Sequence, residues 1–100
     1  MIARDGDRLL LSGPLTLYTV RALYDHGLEA GSDGSLEVDM AAVEAVDSSA
    51  VSLMLNWLRE AQRKQVKLFF SHVPENLRSL AHLYGVEELL PLGADASAQS

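Results

Sequence analysis

The chain predicts an α/β fold: a small mixed β-sheet of about four to five strands covered by α-helices. Two observations carry that expectation. An Asp-Gly turn joins two short extended segments at the N-terminus, and helical and extended patterns then alternate to the end of the chain. A length of 100 residues fits one domain, and at that size folding buries roughly two thirds of the unfolded surface, enough for a modest core.

The elements follow in order. Ile2 to Arg4 and Arg8 to Ser12 flank Asp5-Gly6-Asp7, a hairpin signal. Leu9-Leu10-Leu11 is an unbroken apolar run, which predicts a strand buried on both faces, and Gly13-Pro14 is expected to end it. Leu17, Val20, Leu23, Tyr24 and Leu28 recur at helical spacing, predicting a helix from Leu17 to about Glu29 capped by Thr16. Gly31-Ser32-Asp33-Gly34 breaks the pattern. Leu36, Val38 and Met40 alternate with Glu37 and Asp39, and the extended segment continues through Val43 and Val46 to stop at Asp47.

A second helix, from about Ser49 to Lys64, places Val51, Met54, Leu55, Leu58 and Ala61 on one stripe. Lys67 to Ser71 is the next strand. Pro74 suits the first turn of a third helix carrying Leu77, Leu80, Ala81 and Tyr84, with Gly85 as its stop and Glu87 to Leu90 as one further turn. Residues 1–91 are expected to form the single domain, and 92–100, small and polar, a flexible tail. Crossovers between parallel strands are expected to be right-handed.

Composition removes several function classes. With no cysteine there is no disulfide, thiolate chemistry or cysteine-ligated zinc. A net charge of −6 disfavours nucleic acid, which needs a basic footprint. Arg59, Arg63, Lys64 and Lys67 do cluster, but cations near a helix C-terminus are an ordinary solvated face. No segment approaches the roughly 20 apolar residues of a membrane span, and the first residues lack the apolar core of a signal peptide, so a cytoplasmic location is expected. His26, His72 and His82 show no close metal-ligand spacing, and there is no glycine-rich phosphate loop. Asp47 and Ser48 with a distant histidine do not by themselves define a catalytic triad. No enzyme activity, cofactor or metal is expected.

The informative segment is Val46-Asp47-Ser48-Ser49-Ala50-Val51, where a strand turns into a helix N-terminus. That end has unpaired N–H donors and partial positive charge. In one reading Ser48 or Ser49 caps the helix, worth about 1 kcal/mol, and Asp47 bonds the nearby turn. In the other, a hydroxyl faces outward, where a partner or a phosphoryl group would meet it. Trp57 is either a core residue or a partner-facing anchor, and Leu83 and Tyr84 pose the same alternative. The candidate docking surface comprises Asp47, Ser48, Ser49, Trp57, Leu83 and Tyr84, from the start of the second helix and part of the third.

The run from Val46 to Leu55 resembles the signature of STAS domains, the fold of anti-sigma-factor antagonists. In that family a strand ends in aspartate and the next residue, serine or threonine, starts the helix and is often phosphorylated. The resemblance therefore implies a STAS fold, with Asp47 and Ser48 at the site and Ser48 as the candidate phosphorylation site. Asn76-Leu77-Arg78-Ser79-Leu80-Ala81-His82-Leu83-Tyr84-Gly85-Val86, followed by Leu90-Pro91, is similar to the MlaB branch. That branch implies an accessory subunit that binds an MlaF-like ATPase, in complex with its permease, of a Gram-negative phospholipid-transport ABC complex. Such a subunit would be cytoplasmic, peripheral to the inner membrane, and would support outer-membrane lipid asymmetry. The sigma-regulatory branch implies instead an antagonist whose partner is an anti-sigma-factor kinase acting on Ser48.

Overall fold

The computed structural model describes residues 2–28, 30–31 and 34–91, and the tail expected at 92–100 lies outside the described residues. Four strands form one sheet in the order β1 (Ile2–Asp5), β2 (Arg8–Leu15), β3 (Ser35–Val46) and β4 (Lys67–Ser71). β1 pairs antiparallel with β2 across the expected hairpin, where Asp5 faces Arg8 and Gly6 takes a left-handed φ of +65°. The β2–β3 and β3–β4 pairs are parallel. The helices are α1 (Val20–Tyr24), α2 (Ser48–Lys64) and α3 (Glu75–Leu83), followed by a 3₁₀ turn at Glu87–Leu89.

The strand order explains where the core sits. Both crossovers, β2 to β3 through α1 and β3 to β4 through α2, step the same way along the sheet. With right-handed crossovers, both helices then fall on the same face. Leu9, Leu11, Leu36, Val38 and Met40 point into that layer and are buried to within 1% of full burial. They meet Met54, Trp57 and Leu77 from the helices in one continuous core. Each such side chain contributes about 1.5–3 kcal/mol on burial.

Four local expectations change. Leu10 is only half-buried, because its side of the sheet lacks the helical cover that hides Leu9 and Leu11. β2 does not end at Gly13-Pro14 but continues to Leu15. Its register against β3 shifts on either side of Gly13, which takes a φ of +78°, so the proline is accommodated at irregular pairing rather than in a regular ladder. α1 is five residues long, not a helix from Leu17 to Glu29. Leu17 to Thr19 form a turn instead, and the Thr19 hydroxyl donates to the Pro14 carbonyl while accepting from the Thr16 N–H, both at 2.9 Å. Thr19, not Thr16, thus occupies the N-cap position. Finally, α2 begins at Ser48, and its N-cap is Asp47 rather than either serine.

Candidate docking site at the start of α2

β2 and β3 run parallel, so their C-terminal ends arrive together, with Leu15 opposite Val46. Asp47 follows directly and ties three segments to one another. Its Oδ1 accepts the Ser49 N–H at 2.8 Å, closing the first turn of α2. Its Oδ2 accepts the Leu17 N–H at 3.0 Å, holding the β2–α1 turn. Its own N–H donates to the Leu15 carbonyl at 3.2 Å. These N–H donors, that of Leu17 foremost, stabilise the carboxylate and hold its pKa below the ordinary aspartate value.

The two serines part ways. Ser49 is half-buried and directs both its backbone N–H and its hydroxyl to Asp47. Ser48, the first residue of α2, is exposed. Beside it a shallow groove of about 280 Å³ is lined by Ser48, Val51, Ser52, Leu55, Tyr84 and Val86. The groove joins the start of α2 to the end of α3, and large apolar side chains are exposed on α3 and just after it. Leu83 is 72% exposed, Tyr84 51% and Leu89 62%. On the β2–α1 turn held by Asp47, Leu17 is 65% and Tyr18 90% exposed. Tyr84 lines the groove itself, and contiguous exposed apolar surface marks an interaction site more often than isolated side chains do.

Of the residues expected at this site, Asp47, Ser48, Ser49 and Tyr84 meet around α2 and its groove, with Leu83 exposed alongside. Trp57 does not join them. It is 1% exposed, and its indole N–H donates to the Leu23 carbonyl of α1 at 3.2 Å. Its place as a docking residue is corrected: it fills the α1–α2 interface, where a partner cannot reach it. A helix through Leu17 would have turned part of that segment inward, whereas the turn closed by Thr19 leaves Leu17 and Tyr18 exposed beside Asp47.

The histidines are dispersed. His26 Nδ1 lies 2.9 Å from the Gly27 carbonyl, and His82 Nδ1 lies 3.0 Å from Glu87 Oε1. His72 Nδ1 lies 3.1 Å from Asp39 Oδ1, and with Glu37 it completes a group of three side chains whose donor atoms converge. Sequence spacing hid that group, since His72 comes from beyond β4 and the carboxylates from β3. No helix among the described residues is long and apolar enough to cross a membrane.

A mixed sheet with helices packed on one face, and an aspartate-capped helix presenting a serine, define the class: an α/β domain of STAS type. The family model STAS_2, described as Mlab, STAS domain, matches residues 2–91, and the chain belongs to that family. Among solved structures the chain is similar to the anti-sigma factor antagonist SpoIIAA in its unphosphorylated form. The likeness covers 98% of this chain and 90% of that one, with a TM-score of 0.68 and 15% identity, and it establishes the shared fold. A search of curated proteins finds no match.

Proposed function

We propose that this domain is a non-enzymatic accessory subunit that docks on the cytoplasmic ATPase of a phospholipid-transport ABC complex, and supports its assembly and activity. The observation that carries the reading is the open groove between α2 and α3, lined by Ser48, Leu55 and Tyr84, with exposed Leu83 preceding Tyr84 in the chain. A protein surface, rather than a small substrate, suits so shallow a feature with Val51, Leu55 and Val86 in its lining. The MlaB-type family match supports the choice of partner. Domains of this family generally act as binding or regulatory modules.

Ser48 and Tyr84 would contact the ATPase directly, and Asp47 would position the helix start. The domain would sit at the cytoplasmic side of the inner membrane through the complex alone. The test is to tag the chain in its native host, solubilise gently and identify what co-purifies. An ABC ATPase with its permease is the expected result, with Ser48→Glu weakening the association at least about tenfold, or about 1.4 kcal/mol. Unchanged affinity in that variant overturns the site assignment.

The exposed hydroxyl of Ser48 favours one second reading, an anti-sigma-factor antagonist switched by phosphorylation. A phosphoryl group there would place up to two negative charges beside Asp47. Co-purification of a kinase-like anti-sigma factor, with phosphate on Ser48, would replace the transporter reading.

A further inference from the structure

We propose that Glu37, Asp39 and His72 form a binding site for a divalent transition-metal ion of the zinc class, on the sheet face opposite α2. One donor atom from each lies within 4.8 Å of the others. The β-ladder builds the arrangement. Glu37 and Asp39 alternate on β3 and so share a face, and Asp39 pairs with Ser71, the residue before His72.

The donor set of one imidazole nitrogen and two carboxylate oxygens suits zinc and its first-row neighbours better than calcium or magnesium, which favour oxygen alone. Adjacent ligand atoms around tetrahedral zinc stand about 3.4 Å apart, given metal–ligand bonds near 2.0–2.1 Å. The 3.1 Å separation of His72 Nδ1 and Asp39 Oδ1 is already close to that value. Glu37 is half-buried and His72 exposed, so modest side-chain rotations bring the third donor in.

A second observation concerns how the carboxylates are partnered. Asp39 is only 8% exposed, and its Oδ1 accepts the Ala41 N–H at 2.9 Å. Its Oδ2 faces Arg8 Nη1 at 3.6 Å, and Glu37 Oε1 faces Arg8 Nε at 3.8 Å. Both separations exceed the roughly 2.7–2.9 Å of a charge-assisted hydrogen bond. The ion pairs that Arg8 makes with the two carboxylates are therefore loose, although the Asp39 side chain is only 11% exposed. The Ser71 hydroxyl donates to the other Glu37 oxygen, Oε2, orienting that carboxylate in the manner of an outer-shell partner. Arg8, with its side chain 45% exposed, is free to swing toward solvent as the ion enters. The guanidinium is the ion's competitor, which gives the proposal a distinctive consequence.

The test is calorimetric titration of Zn²⁺ into the untagged full chain, with Co²⁺ absorption reporting nitrogen ligation. One ion should bind per chain. His72→Ala and Glu37→Gln should each weaken binding at least about tenfold, the effect that loss of even a ligand-supporting group has. Arg8→Gln should tighten it, and His82→Ala should leave it unchanged. All four positions are exposed or half-buried, and far-UV circular dichroism verifies their folds. Wild-type binding no tighter than that of His72→Ala overturns the proposal, as does a loss that follows His82 instead. Neither result bears on docking at Ser48.

Discussion

α2 and α3 are both amphipathic helices bearing a large aromatic near an apolar stripe, yet they treat their aromatics oppositely. α2 packs against α1, α3 and β4, so apolar residues on several of its sides are covered. Leu53, Met54 and Trp57 each end within 1% of full burial. α3 buries Leu77 and Ala81 on one side, while Leu83 and Tyr84 at its end stay exposed. Hydrophobicity alone does not separate Trp57 from Tyr84. The number of neighbouring elements does, because a central helix is enclosed on flanks that a peripheral one leaves open.

The largest expected effect tests the enclosed side. Trp57→Ala should destabilise the fold by about 3–5 kcal/mol, through lost burial and a cavity, while also removing the indole donor from a Leu23 carbonyl that keeps the His26 N–H. Chemical denaturation measures it. A small stability loss with a large loss of partner binding would return Trp57 to the surface and dissolve the contrast.

Tyr84→Ala and Leu83→Ala test the open side. Each should shift stability by no more than about 0.5 kcal/mol, as exposed positions do. Each should weaken association with the co-purifying partner by roughly tenfold, or about 1.4 kcal/mol, if the pair anchors docking. Thermal melts and binding isotherms on the same samples separate the two quantities. A Tm loss comparable to that of Trp57→Ala would mean that the end of α3 is core after all.

Gly85 sharpens the comparison at the point where α3 stops. Its φ is +72°, and a methyl group there would meet no atom within 4 Å, so the cost of Gly85→Ala is conformational. It should be about 1 kcal/mol, read as a Tm drop of roughly 4–8 °C for a domain of this size. A neutral result would show that the chain leaves α3 by another turn, moving Tyr84 and Val86 relative to the groove.

The smallest effect concerns the corresponding end of α2. Asp47 has its pKa lowered in the fold by the Leu17 and Ser49 N–H groups. A carboxyl whose folded pKa is depressed contributes stability that is present above its unfolded pKa and lost as pH falls through the folded value. The stability gap between wild type and Asp47→Asn should therefore be constant above about pH 5 and shrink as the pH falls below the ordinary value of 3.8. Melts across that window check it. A gap that is insensitive to acid would remove the carboxylate charge from the account of this corner.

Much of this architecture was legible because it is local. The Asp-Gly hairpin, the alternation of Leu36, Val38 and Met40, the strand at Lys67–Ser71 and the Gly85 stop all follow from neighbouring residues, and the structure has each. The strand-to-helix junction at Asp47-Ser48 was equally plain. What misled was also local: a helical period starting at Leu17 overlooked the turn closed by Thr19, and serines next to a helix start suggested caps while Asp47 supplied one. Between Ser48 and Ser49, only geometry showed which hydroxyl is committed to Asp47.

By itself, then, the sequence determined the elements, the fold class and the corner where β3 becomes α2, because periodicity and turn chemistry act over a few residues. The tertiary structure decided which faces are covered. It enclosed Trp57, left Leu17, Tyr18 and Tyr84 open, and brought His72 to Asp39 across 33 positions of chain. Those outcomes depend on strand order and crossover direction, which set neighbours that no local pattern encodes.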